Sequence, residues 1–313
     1  MNQLIADISN SIEAATKFVK GFIISMGSVT NIFSAIEGNI QTVDDIADEY
    51  GYRNKKLLKI YLDVLCSYGI LKRKDSKYFL VNGVDIRLEK RDFMLDKMKE
   101  DLISFFMSLI NVFPHLLIDP NNPLATTDFE RDANIWSVWL ENEWFRSVRR
   151  VITEIGGIGK RDYVLDMGCG SISPLYYGEV VGENGKVTGL DKSKKMIDIA
   201  RAKIEHRGYS WVEVEQCDIE KDVGLDEEYD VVVISMVLEY VHKLEKVLEN
   251  AYNALKDDGK IIIFKMPDDP IINFTEALIP QFVKLRSTRE VREALTKVII
   301  KEYGDLLIVA HKC

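Results

Sequence analysis

Cysteine and histidine are scarce in this chain and scattered. Each occurs four times in 313 residues, as Cys66, Cys169, Cys217 and Cys313 and as His115, His206, His242 and His311, with no CxxC pair and no His–Cys cluster. Neither a disulfide framework nor a zinc site is expected, which reads as a reduced, metal-free, intracellular protein. An excess of basic charge is also absent: 41 Lys and Arg stand against 50 Asp and Glu, a net charge of −9. That balance gives no whole-molecule attraction to nucleic acid or to an anionic bilayer. The first lysine is Lys17, so no secretory leader is expected. The most apolar run, residues 102–118, is interrupted by Ser104, Ser108, Asn111, Pro114 and His115 and is read as buried helix rather than a membrane span. What is present is a chain 47% apolar and 29% charged, the make-up of a well-packed soluble protein, and a cytoplasmic location is expected.

The periodicity changes near residue 155. Before it, apolar residues recur at helical spacing; after it, short β-branched runs alternate with amphipathic helices, the pattern of a parallel α/β sheet. The glycines Gly156, Gly157 and Gly159 mark the link. Three regions are expected: residues 1–100 as a helical, winged-helix-like dimerisation domain, 101–158 as a helical connector contributing to a substrate pocket, and 159–313 as a ligand-binding catalytic domain. In the first region, residues 4–36 read as one or two helices, Thr42 with Asp45 as a capping pair, and 54–68 as a helix closed by Gly69. Residues 70–81 read as two short strands around a polar turn. Helix, helix and small wing invite a DNA-binding reading, with Arg53, Lys55, Lys56, Lys59, Lys72, Arg73, Lys74 and Lys77 as phosphate contacts. Against it, seven of the nine residues 57–65 are apolar or Tyr, so that helix should be buried. A homodimer contact is favoured over nucleic acid.

The stretch Tyr163-Val164-Leu165-Asp166-Met167-Gly168-Cys169-Gly170-Ser171-Ile172-Ser173-Pro174 carries the chemistry. An apolar strand meets a carboxylate, then a glycine-containing loop, then Ser173-Pro174 as cap and first turn of a helix. Gly168 and Gly170 permit positive φ and a close ligand approach, and the helix N-terminus offers its N–H groups to an anion. A dinucleotide loop would carry a third glycine at 173, where this chain has Ser173, and would press a diphosphate against the loop. Asp166 would repel that diphosphate but attract a ligand whose near end is an ammonium or sulfonium. S-adenosyl-L-methionine has both. A second strand ends in Asp191, 25 residues beyond Asp166, where nucleoside-binding α/β folds place the ribose acid. Ser193 caps the following helix. A third strand leads to Asp218-Ile219, an acceptor for an adenine amino group beside an apolar cover, and a central strand ends at Ser235.

Three carboxylates at three successive strand ends resemble the class I S-adenosylmethionine-dependent methyltransferases over residues 160–313. The fold this implies is a Rossmann-like, mostly parallel sheet with a terminal antiparallel hairpin, which residues 298–312 would form by turning at Gly304-Asp305. A helix over 244–255 stopped by Gly259 and a fifth strand over 260–266 agree with that order. Val164 to Gly170 is similar to the methionine-binding loop. With the winged-helix-like front, the whole chain resembles the dimeric O-methyltransferase branch acting on small hydroxylated aromatic molecules. The family resemblance implies another glycine where this chain has Ile172, and the O-methyltransferase branch implies a His base just after the fourth strand, where this chain has Glu239-Tyr240.

Methyl transfer needs in-line alignment, and a base only if the nucleophile must lose a proton. Glu239 is the candidate base, with His242 three residues on, at a spacing that places both on one side of a helical turn. Trp136, Trp139 and Tyr240 are candidate substrate residues for an aromatic, largely apolar acceptor. Residues 270–286 read as a lid or cap helix, and Ser287 to Glu290 as a capping box. The alternatives are a C- or N-methyltransferase acting on a quinol, isoprenoid or heteroaromatic compound, an adenosylmethionine-binding protein without catalysis, and a DNA-binding regulator.

Overall fold

The computed structural model describes residues 2–30, 32–81, 97–122, 128–221, 223–224 and 228–312. In chain order the front elements are α1 (Asn2–Val29), α2 (Ile32–Glu37), α3 (Val43–Tyr50), α4 (Lys55–Ser67), β1 (Leu71–Lys74), β2 (Lys77–Leu80), α5 (Lys97–Ile110) and α6 (Phe113–Ile118). There follow α7 (Ala133–Leu140), α8 (Glu143–Gly156), β3 (Tyr163–Met167), α9 (Ser173–Val181), β4 (Lys186–Asp191), α10 (Lys194–Arg207), β5 (Val212–Gln216) and β6 (Tyr229–Ser235). The last are α11 (Leu244–Asn253), β7 (Leu255–Phe264), α12 (Pro270–Glu276), α13 (Thr288–Ala294), β8 (Val298–Tyr303) and β9 (Leu307–Lys312). Two compact units result, one of Met1–Ser9, Asp128–Asp268 and Gln281–Cys313, the other of Asn10–Thr127 and Asp269–Pro280.

The second of these units is mainly helical, and its element ends follow local chemistry. Thr42 Oγ1 accepts from Asp45 N at 3.1 Å, and Asn54 Oδ1 from Leu57 N at 3.0 Å, which opens α3 and α4. Leu57, Leu58, Tyr61, Leu62, Val64 and Leu65 are all buried, so α4 is held on several sides, as its composition requires. β1 and β2 pair as an antiparallel hairpin, Leu71 against Leu80. Residues 101–118, of mean hydropathy 1.7, are long and apolar enough to cross a membrane by length and composition alone. Here they are broken into α5 and α6, and half of them are buried. Tyr61 is fully buried, its hydroxyl donating to Ile23 O at 2.7 Å and its ring 4.8 Å from that of Phe113. Tyr61→Phe leaves that carbonyl without its donor and is expected to cost about 1 kcal/mol, read as a lower urea midpoint with unchanged slope.

The first unit is an α/β sheet of order β5-β4-β3-β6-β7-β9-β8. β5, β4, β3, β6 and β7 are parallel; β9 runs antiparallel to β7 and β8 to β9. β6 lies in the middle, and Val231 to Ile234 are at most 1% exposed, as its unbroken apolar run requires. Half of the outermost strand β8 is exposed, Ile299 at 69%, and none of it is buried. Ser193 Oγ accepts from Met196 N at 3.1 Å to open α10, and Ser287 with Glu290 forms the capping box of α13.

Two local expectations are corrected. Ser173 is the first residue of α9 rather than its cap; the cap position falls on Ile172, which offers no side-chain acceptor. The helix over 244–255 ends at Asn253, and Gly259 is not its stop. Leu255, fully buried, pairs with Tyr229, and the register then shifts so that Lys260 meets Val231. Burial of Leu255 at the foot of β6 outweighs two further helical residues.

Candidate functional site

β3 ends in a loop tied to the end of β4. Gly168 and Gly170 have φ of +78° and +58°, a region glycine enters without a steric penalty. The Gly168 and Cys169 amides both donate to Leu190 O, at 2.7 and 2.9 Å. Asp191 completes the tie: Oδ2 accepts from Gly170 N and Oδ1 from Ser193 N, each at 2.8 Å. Burial raises the Asp191 carboxyl, against the pull of those two amides. A Cβ on Gly168 would lie 2.4 Å from Val237 Cγ2, so Val237, just after β6, rests on the loop.

Asp166 is 1% exposed on β3, and its Oδ2 has no hydrogen-bond partner among the described residues. Burial first, and the charge of Asp191 second, push its carboxyl up to about 8, while the guanidinium of Arg149 pulls it down. Arg149 is itself buried, donating from Nη2 to Leu140 O at 2.8 Å. A buried acid with an open acceptor, beside a left-handed glycine loop, fits a ligand with a cationic end and disfavours a diphosphate. The donor set therefore fits S-adenosyl-L-methionine.

Asp218 follows β5 and remains partly exposed. Burial would raise its carboxyl, but the Glu220 amide and the ammonium of Lys192, 3.4 Å away, hold it below its ordinary value. Ile219 is 7% exposed within the sheet's apolar core. Ser235 is half-buried at the end of β6, and Met236 beside it has φ +56°, a conformation costly for a residue with a side chain.

Beyond β6, Leu238–Tyr240 forms one 3₁₀ turn and Val241 is extended. Glu239 is 1% exposed: Oε1 accepts from Met266 N at 3.0 Å, and its carbonyl accepts from Val283 N and Lys284 N. Its Oε2 has no hydrogen-bond partner among the described residues, and burial raises its carboxyl. His242 is exposed, its amide donating to Glu220 Oε1 at 2.6 Å. The expectation that Glu239 and His242 share one side of a helical turn is corrected, because the turn stops at Tyr240 and the chain straightens.

Trp136, Trp139 and Tyr240 are brought together. Trp136 meets Trp139 at 5.1 Å, and Phe129 joins the set, 4.7 Å from Trp136 and 4.9 Å edge-on to Tyr240. Phe129 and its neighbour Glu130 lie outside the residues that the sequence picks out. The spacing of Phe129, seven residues before Trp136, is a faint helical-repeat hint, and Glu130 has no local signal at all. No group of three or more potential metal ligands occurs among the described residues.

Residues 158–299 match the methyltransferase domain family. Over 263 residues the chain is 27% identical to an uncharacterized protein of Methanocaldococcus jannaschii, covering 84% of this chain and 71% of the relative. It is 29% identical to the demethylmenaquinone methyltransferase of Lactobacillus johnsonii, over 57% of this chain and 75% of that one. Among solved structures, the DszA carbon methyltransferase is similar in fold, with a TM-score of 0.72 at 14% identity over 99% of this chain and 92% of that chain. With the glycine loop and its acids already in place, these matches identify residues 158–299 as a class I methyltransferase domain and the protein as an enzyme that uses S-adenosyl-L-methionine.

Proposed function

We propose that the enzyme methylates a small, apolar, hydroxylated aromatic acceptor. The observation that carries this reading is the aromatic set Phe129, Trp136, Trp139 and Tyr240 beyond the carboxyl end of β6, where parallel sheets bind ligands. Such rings bury an aromatic acceptor without demanding a matching charge. When bound, the donor supplies a methyl group on a sulfonium, ready for in-line transfer. Asp166 and the loop of Gly168 and Gly170 hold its amino-acid end, Asp191 its ribose, and Asp218 with Ile219 and Ser235 its adenine side.

Glu239 takes the acceptor's hydroxyl proton on Oε2. Its burial shifts the carboxyl in the direction that a base working near neutral pH needs. Glu239→Gln is expected to lower kcat about tenfold or more with donor affinity unchanged; equal turnover in the variant would leave Glu239 as an anchor for Met266 and Val283. His242, exposed and turned off the helical path, receives no catalytic part.

The relatives named demethylmenaquinone methyltransferases favour a second reading, in which the acceptor is a quinol. Incubation with methyl-labelled donor and a panel of hydroxyarenes and quinols, with NMR of the products, tests both and shows whether oxygen or carbon is methylated. Donor uptake without transfer to any acceptor in a cell extract would leave a non-catalytic binding protein. We further assign the protein to the cytoplasm as a homodimer, with residues 1–100 as the dimerisation module and 101–158 as the connector. Sedimentation of the purified chain checks the dimer.

A further inference from the structure

Residues 128–132, just ahead of α7, form a short strap with a dense set of bonds. Asp128 Oδ1 accepts from the amides of Glu130 and Arg131 at 2.9 and 2.6 Å, and Asp132 Oδ2 accepts from Asp128 N at 3.0 Å. Gln281 Nε2 donates to Asp128 Oδ2 at 2.7 Å. The strap is fastened to the end of β4 by Glu130, whose Oε2 accepts from Ser193 Oγ at 2.7 Å and from Lys195 N at 3.2 Å. Phe129 O also accepts from Ser193 Oγ, at 3.3 Å, while the Phe129 ring meets Tyr240 at 4.9 Å.

Those two attachments sit on different strand ends. Ser193 follows β4 by two residues, and Tyr240 lies five beyond β6. β4 and β6 flank β3 on the same carboxyl edge, about 10 Å apart at the usual strand spacing. A residue joined to both passes over the end of β3, where the glycine loop begins. Glu130 also lies close enough to Asp191 to raise its carboxyl further. The Ser193 hydroxyl and the Lys195 amide at the start of α10 stabilise the Glu130 carboxylate, while the like charge of Asp191 beside it works against them, so the latch is held and can still release.

We propose that Phe129 and Glu130 complete the donor site: Phe129 is its outer wall, and Glu130 is the latch that holds that wall in place. Both are binding and positioning residues, and the assignment rests on the donor being S-adenosyl-L-methionine. The wall faces a sulfonium better than the neutral thioether left after transfer, because an aromatic ring attracts a cation. The latch then sets how fast ligand leaves.

Stopped-flow tryptophan fluorescence tests this on the full chain, since the Trp136 ring lies 4.7 Å from that of Phe129, tilted by 52°. Glu130→Gln and Asp128→Asn loosen the strap from two sides, and each is expected to speed dissociation of S-adenosyl-L-methionine by about fivefold or more. Phe129→Leu is expected to weaken the donor about fivefold while weakening S-adenosylhomocysteine by less than twofold. The ligand-free melting temperature is measured alongside. A cap with a purely structural part would lower that temperature and leave dissociation rates within twofold of the parent, and this result overturns the proposal. Failure of the parent protein itself to take up the donor by calorimetry is a separate outcome, which removes the donor reading and the wall together.

Discussion

Replacing Asp166 with asparagine is expected to raise the melting temperature of the ligand-free protein and to abolish the further rise that S-adenosyl-L-methionine produces. The two effects share one cause. Asp166 is 1% exposed with an unpartnered Oδ2, and its carboxyl titrates near 8 rather than at its ordinary value. The folded state thus holds a proton that the unfolded chain releases at about pH 4. Stability from this group is fully present below pH ~4 and is lost as pH rises through 8. Asparagine keeps the shape, removes the titration and frees the fold from that loss, so the gain of the variant over the parent grows between pH 4 and 8.

A bound cation reverses the balance by favouring the carboxylate. Donor affinity is therefore expected to rise as pH increases towards 8 and to level off above it, with Asp191 on β4, Arg149 on α8, Tyr177 on α9 and Cys169 in the loop after β3 as ionisable neighbours in the balance. Near neutral pH, binding should release a proton. Calorimetry in two buffers of different ionisation enthalpy measures this directly. A flat pH profile, or a variant that binds donor within threefold of the parent, would show that Asp166 does not face the donor's charge.

The second large effect is expected at Gly168. Alanine there meets two separate obstacles, a φ of +78° and a Cβ placed 2.4 Å from Val237. Left-handed strain and the clash together are expected to cost about 2–4 kcal/mol and to weaken donor binding through the displaced loop. Combining Gly168→Ala with Val237→Ala removes the two Cγ contacts, leaves a Cβ contact of 3.2 Å and keeps the strain, so about half of the stability should return. Chemical denaturation of the four proteins of this cycle separates the two contributions. Full recovery in the double variant would mean that backbone strain at Gly168 is negligible.

The legible parts of this molecule are those with local causes. Ser193, Thr42 and the Ser287–Glu290 box cap their helices as their side chains dictate, and the uniform apolar run of β6 led correctly to the sheet centre. The glycine loop and its acids were legible because charge and φ requirements are written in adjacent residues. Where tertiary forces decided, sequence patterns fell short. Leu255 entered the core and pulled the chain out of α11 early, and Val241 straightened where a helical turn would have set His242 beside Glu239. Glu130 is the clearest case: its partners Ser193 and Lys195 lie more than sixty residues away, so nothing near it in the chain betrays its place.

The rim strand β8 has one further bearing, on handling rather than catalysis. As an edge strand it offers its outer amides and carbonyls to a neighbouring chain, and the exposed sec-butyl side chain of Ile299 would reward such stacking. Lys301 and Glu302, both exposed and on opposite faces of the same short strand, place opposite charges along that border and discourage fibrous growth. Neutralising them would be felt first as turbidity at high concentration, long before any loss of methyl transfer.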